Sequence, residues 1–245
     1  MAAFEYGVRQ RVVTFEHPEM SAAVSVEQRP EANTPLHADG TCRRLWPTCL
    51  ALARHLCANP SLVRGKRVVE LGAGAGAAGL VCAALGAKQV VLTDMAEALP
   101  LIEENVRRNP IEHSAISVLP CTWGNDSHIN RVLHESEGMA FDVVLACEVI
   151  YKQAAEVLEK LAETQLKFGR VDSIYPVGYE FRGSMLEDMP YFDLADRVFD
   201  CETVSLREYE DDRDPDDDED YRFLYLYRLQ ESNRGDHLAA CSLPK

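Results

Sequence analysis

The run Val-Val-Glu-Leu-Gly-Ala-Gly-Ala-Gly-Ala-Ala-Gly at residues 68–79, followed by Val-Val-Leu-Thr-Asp at 90–94, constrains the fold more than any other part of this chain. It reads as an apolar strand, a glycine-rich turn, a helix and a second strand that closes on a carboxylate. Such a unit holds its ligand at the carboxyl ends of parallel strands. Gly72, Gly74 and Gly76 let backbone approach where a Cβ would collide, and Asp94 is placed to accept hydrogen bonds from two ribose hydroxyls. A cofactor containing adenosine is therefore expected. The alternative, a plain crossover whose small residues only allow close helix packing, leaves the spacing to Asp94 unexplained.

The glycines alone do not choose the cofactor, because Gly74-x-Gly76-x-x-Gly79 also fits a nicotinamide dinucleotide. Glu70 separates the two possibilities. It closes the first strand just before the turn, where its charge would repel a pyrophosphate but would suit the cationic methionine end of S-adenosylmethionine.

Composition agrees with one α/β domain spanning residues 1–245, since nearly half the chain is apolar and one sizeable core suffices. The eight cysteines show no Cys-x-x-Cys pair and no Cys/His ligand spacing, and the start lacks a basic end followed by an apolar run. Reduced thiols in the cytoplasm or nucleus are expected, without signal peptide, membrane span or metal site. A net charge of −15 opposes a broad nucleic-acid surface and favours a basic protein partner.

Along the chain, residues 1–40 form an amino-terminal extension whose Val24-Ser25-Val26 alternation suggests a hairpin. Helical spacing runs over 46–56, with Pro47 in a first turn, and again over 97–108, stopped by Asn109-Pro110. Residues 115–120 read as a strand, and the segment after Gly124 as a polar loop. An apolar strand at 141–146 leads through Cys147 to Glu148-Val-Ile-Tyr151, then to a helix at 154–166, a strand at 171–179 and a helix at 191–199. The last strands, 202–207 and 221–229, flank an acidic loop at 208–220 and are expected to pair antiparallel. The pattern describes a doubly wound sheet, mostly parallel, with a reversed edge and helices on both faces.

Leu45-Trp46-Pro47, Glu70-Leu-Gly-Ala-Gly74, Asp94, Thr122-Trp123-Gly124 and Glu148-Val-Ile-Tyr151 together resemble the methyltransferase-like protein lysine methyltransferases, family 16 of the seven-β-strand S-adenosylmethionine enzymes. The likeness is strongest over residues 40–151. It implies a Rossmann-like seven-stranded sheet, S-adenosyl-L-methionine as cofactor and S-adenosyl-L-homocysteine as product. It also implies that Trp46, Gly72, Ala73, Gly74, Asp94, Trp123 and Cys147 line the cofactor. Two departures stand out: Glu148 is one methylene longer than the more usual Asp, and Cys147 replaces a more usual alanine.

The chemistry of these residues is compatible with that resemblance. Methyl transfer is an in-line displacement that needs alignment and a neutral nucleophile, not a catalytic triad. Glu148 and Tyr151 follow the carboxyl end of the fourth sheet strand and are the candidate catalytic pair that orients an amine. A lysine must first lose a proton from an amine of ordinary pKa about 10.4, helped by burial, the sulfonium charge or a water path. Each residue also has a plain structural explanation: core aromatics for the tryptophans, a strand-end partner for Glu148, a helix packing residue for Tyr151. Nucleic-acid amino methyltransferases place two prolines and an aromatic after this strand, and Cys147-Glu-Val-Ile-Tyr151 lacks the prolines. Histidine, arginine or small amines as acceptors, and a silent cofactor-binding module, remain alternatives to protein lysine. The expected partner is a monomer's protein substrate presenting a basic, lysine-containing segment, with neither nucleic acid nor membrane.

Overall fold

Val68 and Val69 begin a strand whose neighbours on both sides are parallel, which is why it is apolar on both faces. A computed structural model describes residues 11–29, 41–151, 153–182, 186–210 and 221–234. Strands β1 (Val12–Phe15) and β2 (Val24–Glu27) form the antiparallel hairpin foreseen near Val24. The main sheet contains β3 (Arg67–Leu71), β4 (Gln89–Asp94), β5 (Ile116–Pro120), β6 (Val143–Cys147), β7 (Tyr175–Glu180), β8 (Phe199–Ser205) and β9 (Arg222–Leu229). Its order is β5-β4-β3-β6-β7-β9-β8. Strands β3 to β7 are parallel to one another, whereas β9 runs antiparallel to both β7 and β8. The chain thus winds outward from β3 to β5 and then returns to β6 on the other side of β3. In open sheets of this kind the ligand crevice lies at such a reversal, here beyond the carboxyl ends of β3 and β6.

Two helical layers enclose the sheet. On one face lie the hairpin, α1 (Pro47–Ala58), α2 (Ala77–Ala84) and α3 (Leu99–Arg108); on the other lie α4 (Asp126–Glu135), α5 (Ala155–Phe168) and α6 (Met189–Val198), with a short α7 (Glu231–Arg234) at the end. Strand alternation feeds both cores: Val68, Leu92 and Leu145 face the first, and Val69, Val91 and Val144 the second.

The hairpin is fastened through α3. Asn105 accepts the Glu27 N–H and donates to the carbonyls of Glu27 and Ala75, all at 2.9 Å, so one buried amide ties the hairpin to the glycine turn. The nearly buried Glu27 carboxylate receives Arg11, Arg29 and Arg108. These guanidinium groups, Arg29 above all, hold its pKa below the ordinary carboxylate value. Gln28 Oε1 accepts the Leu45 N–H at 2.9 Å and Arg29 N–H reaches Arg43 O at 2.9 Å, which sets the approach to Trp46.

Three expectations need correction. The segment after Gly124 is not a polar loop but α4, capped by the Asn125 side chain, which accepts the His128 N–H at 3.1 Å, and anchored by buried Ile129 and Val132. Its apolar stripe is narrow, so composition concealed it. Phe199 opens β8 instead of ending the preceding helix, and β8 stops at Ser205. Finally, the acidic segment is structured at its beginning. Arg207–Tyr209 forms a 3-10 turn on α1, where Arg54 Nη1 donates to Tyr209 O at 2.6 Å and the Tyr209 and His55 rings meet edge-on at 5.3 Å. Residues 211–220 lie outside the described residues, as do 1–10 and 30–40.

Candidate active site

After Leu71 the backbone turns through Gly72 at φ 67° and Gly74 at φ 57°, conformations that a side chain disfavours. A Cβ on Gly72 would lie 2.5 Å from Val149 Cγ1 and 3.6 Å from Trp123 Cζ2. On Gly74 it would lie 3.2 Å from the Cys42 carbonyl oxygen. The turn is therefore pressed between the segments that follow β5 and β6 and the one that precedes α1. Ala73 N–H donates to Thr93 O at 2.9 Å, and Gly74 N–H to Asp94 Oδ2 at 2.7 Å. Asp94 Oδ1 accepts from Met95 N–H at 2.7 Å, which fixes the carboxylate at the carboxyl end of β4 facing the turn.

Glu70 sits beneath this turn. It is 2% exposed, and Oε2 accepts the Gly79 N–H at 2.9 Å, so the carboxylate satisfies one of the free amides at the start of α2. Burial pushes its pKa up to about 8; the Gly79 amide opposes that rise and Asp94 adds to it.

The two tryptophans come from separate segments, Trp123 after β5 and Trp46 just before α1. Trp123 packs against the second core beside Gly72, and its loop is pinned by Gly124 N–H donating to Thr164 Oγ1 at 2.9 Å. Trp46 is the residue before Pro47 in α1, and its Nε1 donates to Thr41 O at 3.4 Å. The Cys147 thiol lies against Gly178 and within hydrogen-bond reach of Cys49 on α1; that bond and burial together push its pKa well above the ordinary thiol range. It is a packed, protonated thiol.

Glu148 has a left-handed backbone at φ 58°, and its N–H donates to Gly178 O at 2.9 Å. For a residue with a Cβ this conformation costs about 1–2 kcal/mol. It turns the chain sharply at the end of β6. The carboxylate is buried; Oε2 pairs with Arg182, whereas Oε1 has no hydrogen-bond partner. Thr48 Oγ1 is close enough to favour the charged form, yet it makes no well-formed hydrogen bond. Burial raises the Glu148 pKa, with Arg182 as the main opposing influence. The Tyr151 hydroxyl shares a 3.1 Å hydrogen bond with Thr41 Oγ1, which ties the segment before Trp46 to the turn that follows β6.

Sequence reading missed Arg182 and Glu180. Arg182 Nη2 contacts Glu148 and Glu180, the latter at 2.9 Å, and its guanidinium lies 5.2 Å from the Trp46 ring centre. Glu180 also meets Arg222 Nε at 3.3 Å, and Arg222 meets Glu210 at 3.4 Å. The available signal was Glu180-Phe-Arg182 at the carboxyl end of a predicted strand, the same rim that carries Glu148. Among the described residues, no group of three or more His, Cys, Asp or Glu is arranged to hold a metal ion, and no helix is long and apolar enough to cross a membrane.

With that geometry in view, comparison with known proteins is direct. A family model described as "Lysine methyltransferase", methyltransferase family 16, matches residues 34–197. The chain belongs to this lysine methyltransferase family. The match includes the glycine turn, Asp94, Trp123, Glu148 and Arg182, and leaves the hairpin, β8 and β9 outside. Among family relatives, Protein N-terminal and lysine N-methyltransferase efm7 of Schizosaccharomyces pombe is 31% identical over 159 residues, 62% of this chain and 61% of that protein. EEF1A lysine methyltransferase 3 of Mus musculus is 34% identical over 112 residues, 46% of this chain and 45% of that one. The chain thus spans about half to three-fifths of the length of these two relatives. Protein N-lysine methyltransferase METTL21A of Mus musculus is 28% identical over 202 residues, 81% and 82% of the two chains. Among solved structures, the ribosomal protein L11 methylase of Lactobacillus delbrueckii subsp. bulgaricus superposes with a TM-score of 0.53 at 19% identity, over 91% of this chain and all of that one. Magnesium protoporphyrin IX methyltransferase of Synechocystis, with S-adenosylmethionine bound, gives 0.51 at 14% identity over 74% and 78% of the chains. At these identities the likeness is one of fold.

Proposed function

We propose that this chain is an S-adenosylmethionine-dependent protein-lysine N-methyltransferase. The observation that carries the reading is a buried carboxylate, Glu148, held in a left-handed turn at the reversal point of the sheet, with one oxygen unpartnered and Trp46 nearby through Arg182. An unpaired buried acceptor is unfavourable by about 1–3 kcal/mol, and an amine N–H entering the crevice removes that penalty.

The residues present suit the cofactor. Gly72 and Gly74 give the turn the left-handed backbone and the close packing that side chains would forbid, Asp94 is fixed beside it to accept ribose hydroxyls, and Trp123 beside Gly72 supplies an apolar wall. Bound there, S-adenosylmethionine supplies a methyl group on a positively charged sulfur. The protein's own task is to present a neutral amine in line with it. Glu148 orients the amine by accepting from it, and its burial raises its affinity for the proton the amine must lose. Tyr151, tied to Thr41, holds the segment before Trp46 to the turn that follows β6.

The same proposal takes the substrate to be a protein with a basic, lysine-containing segment, which the net charge of −15 attracts, whereas the same charge repels nucleic acid. A monomer in a reducing cytoplasmic or nuclear setting belongs to it as well, the setting resting on cysteine spacing. The test uses tritiated S-adenosylmethionine and lysate from cells lacking this protein, followed by mass spectrometry of the labelled band. A labelled lysine is the expected result, and a labelled nucleic acid or small molecule would overturn the substrate class. Glu148→Ala should keep most of its cofactor affinity and lose transfer by orders of magnitude. Transfer at the wild-type rate would remove Glu148 from the active site.

A further inference from the structure

Arg182 is the feature of this site that the proposed activity leaves unexplained. Its guanidinium stands on the solvent side of Glu148: the Arg182 side chain is 36% exposed and that of Glu148 only 4%. It pairs with Glu148 and with Glu180, and lies over the Trp46 indole. An aromatic face flanked by two carboxylates is a binding site for an organic cation. Lysine, the proposed acceptor, is also an organic cation on a flexible apolar stem.

We infer that Arg182 is a resident cation that fills the acceptor site in the absence of substrate, and that an incoming lysine must displace it from Glu148. The inference rests on the methyltransferase reading and adds a specificity gate to it. Two features support displacement over permanent pairing. Arg182 has a second carboxylate, Glu180, at 2.9 Å, so it can leave Glu148 without becoming unpaired. Glu180 is in turn held by Arg222 at 3.3 Å, which keeps that second carboxylate in place when Arg182 shifts. A neutral N–H can satisfy the unpartnered Glu148 Oε1, but it brings no charge to replace Arg182 at Oε2, and so leaves the gate shut.

If the Arg182 end group occupies the acceptor position, placing a primary amine there makes the protein its own substrate. In Arg182→Lys incubated with S-adenosylmethionine alone, the neutral side-chain nitrogen attacks the sulfonium methyl carbon. A new N–C bond forms as the S–C bond breaks, its electron pair remains on sulfur to give S-adenosylhomocysteine, and the extra proton on nitrogen passes through Glu148 to solvent. Peptide mapping should find a methyl group on residue 182 of the variant, acquired at a rate independent of protein concentration. A second variant does not depend on that chemistry. Arg182→Met removes the resident charge at similar length. With S-adenosylhomocysteine saturating, it should bind n-butylammonium about tenfold more tightly than the wild type, measured in mildly alkaline buffer because loss of Arg182 raises the Glu148 pKa further. An Arg182→Lys protein that binds S-adenosylmethionine like the wild type but remains unmodified at 182 would overturn the inference. So would an Arg182→Met protein that binds n-butylammonium no more tightly; this second arm decides alone if Arg182→Lys does not fold. Failure of the wild type to bind S-adenosylmethionine would instead remove the methyltransferase reading itself.

Discussion

Glu70→Gln tests the most costly group in the site. In the unfolded chain this carboxylate ionises near its ordinary value of 4.5, whereas in the folded protein burial holds it protonated up to about 8. Between those values the native state binds more protons than the unfolded state, so stability falls as pH rises and levels off above about 8. At about 1.4 kcal/mol per pKa unit, the ionisation penalty reaches roughly 3 kcal/mol at neutral pH and on the order of 5 kcal/mol once pH passes the folded value. Glutamine keeps a carbonyl oxygen for the Gly79 N–H, now 2.9 Å from Glu70 Oε2, and has no proton to lose. Urea unfolding of both cofactor-free proteins at a series of pH values measures the difference, in which distant titrating groups cancel. From about pH 5 to about pH 8 the variant should gain roughly 3 to 4 kcal/mol on the wild type. A difference that does not change with pH would refute the claim that Glu70 is neutral in the folded state. A difference of opposite sign would show a native carboxylate stabilised by its surroundings.

Other perturbations probe the turn and its supports. Gly79→Ala would place a Cβ 2.2 Å from Leu92 Cδ2 and 2.7 Å from Glu70 Oε2, and overpacking of this kind should cost about 1–3 kcal/mol, seen as a lower Tm. Asp94→Ala should weaken S-adenosylmethionine binding by at least about tenfold in calorimetry, each lost charge-assisted hydrogen bond being worth about 1.5 to 3 kcal/mol; unchanged affinity would exclude Asp94 from the cofactor site. Asn105→Ala strands the Glu27 N–H and the Glu27 and Ala75 carbonyls, so the hairpin should become open to limited proteolysis while the protein loses about 2–4 kcal/mol. Equal resistance of the two proteins to protease would show that Asn105 does not clamp the hairpin.

Much of the fold was legible because its signals are local. Parallel strands buried on both faces must be apolar throughout, so Val68–Val69 and Val143–Val144 announce themselves. A glycine turn between strand and helix has few sequence solutions, and Asp94 follows at a distance set by one helix and one strand. The α4 helix was hidden because only Ile129 and Val132 are fully buried along ten mostly polar residues, and its start depends on the Asn125 cap more than on periodicity.

The site divides in the same way. Gly72, Gly74, Asp94 and Glu148 stand at strand ends whose positions follow from the order of elements along the chain. Tertiary structure decided how those residues are used. It turned Cys147 toward α1, bonded Glu70 to the start of α2, joined Tyr151 to Thr41, and brought Arg182 onto Glu148 from 34 residues away. The reason is physical: a turn or strand end is specified by backbone sterics over a few residues. The charge state and partner of a buried carboxylate depend on which distant groups the packed sheet places beside it, and on how much water that packing removes.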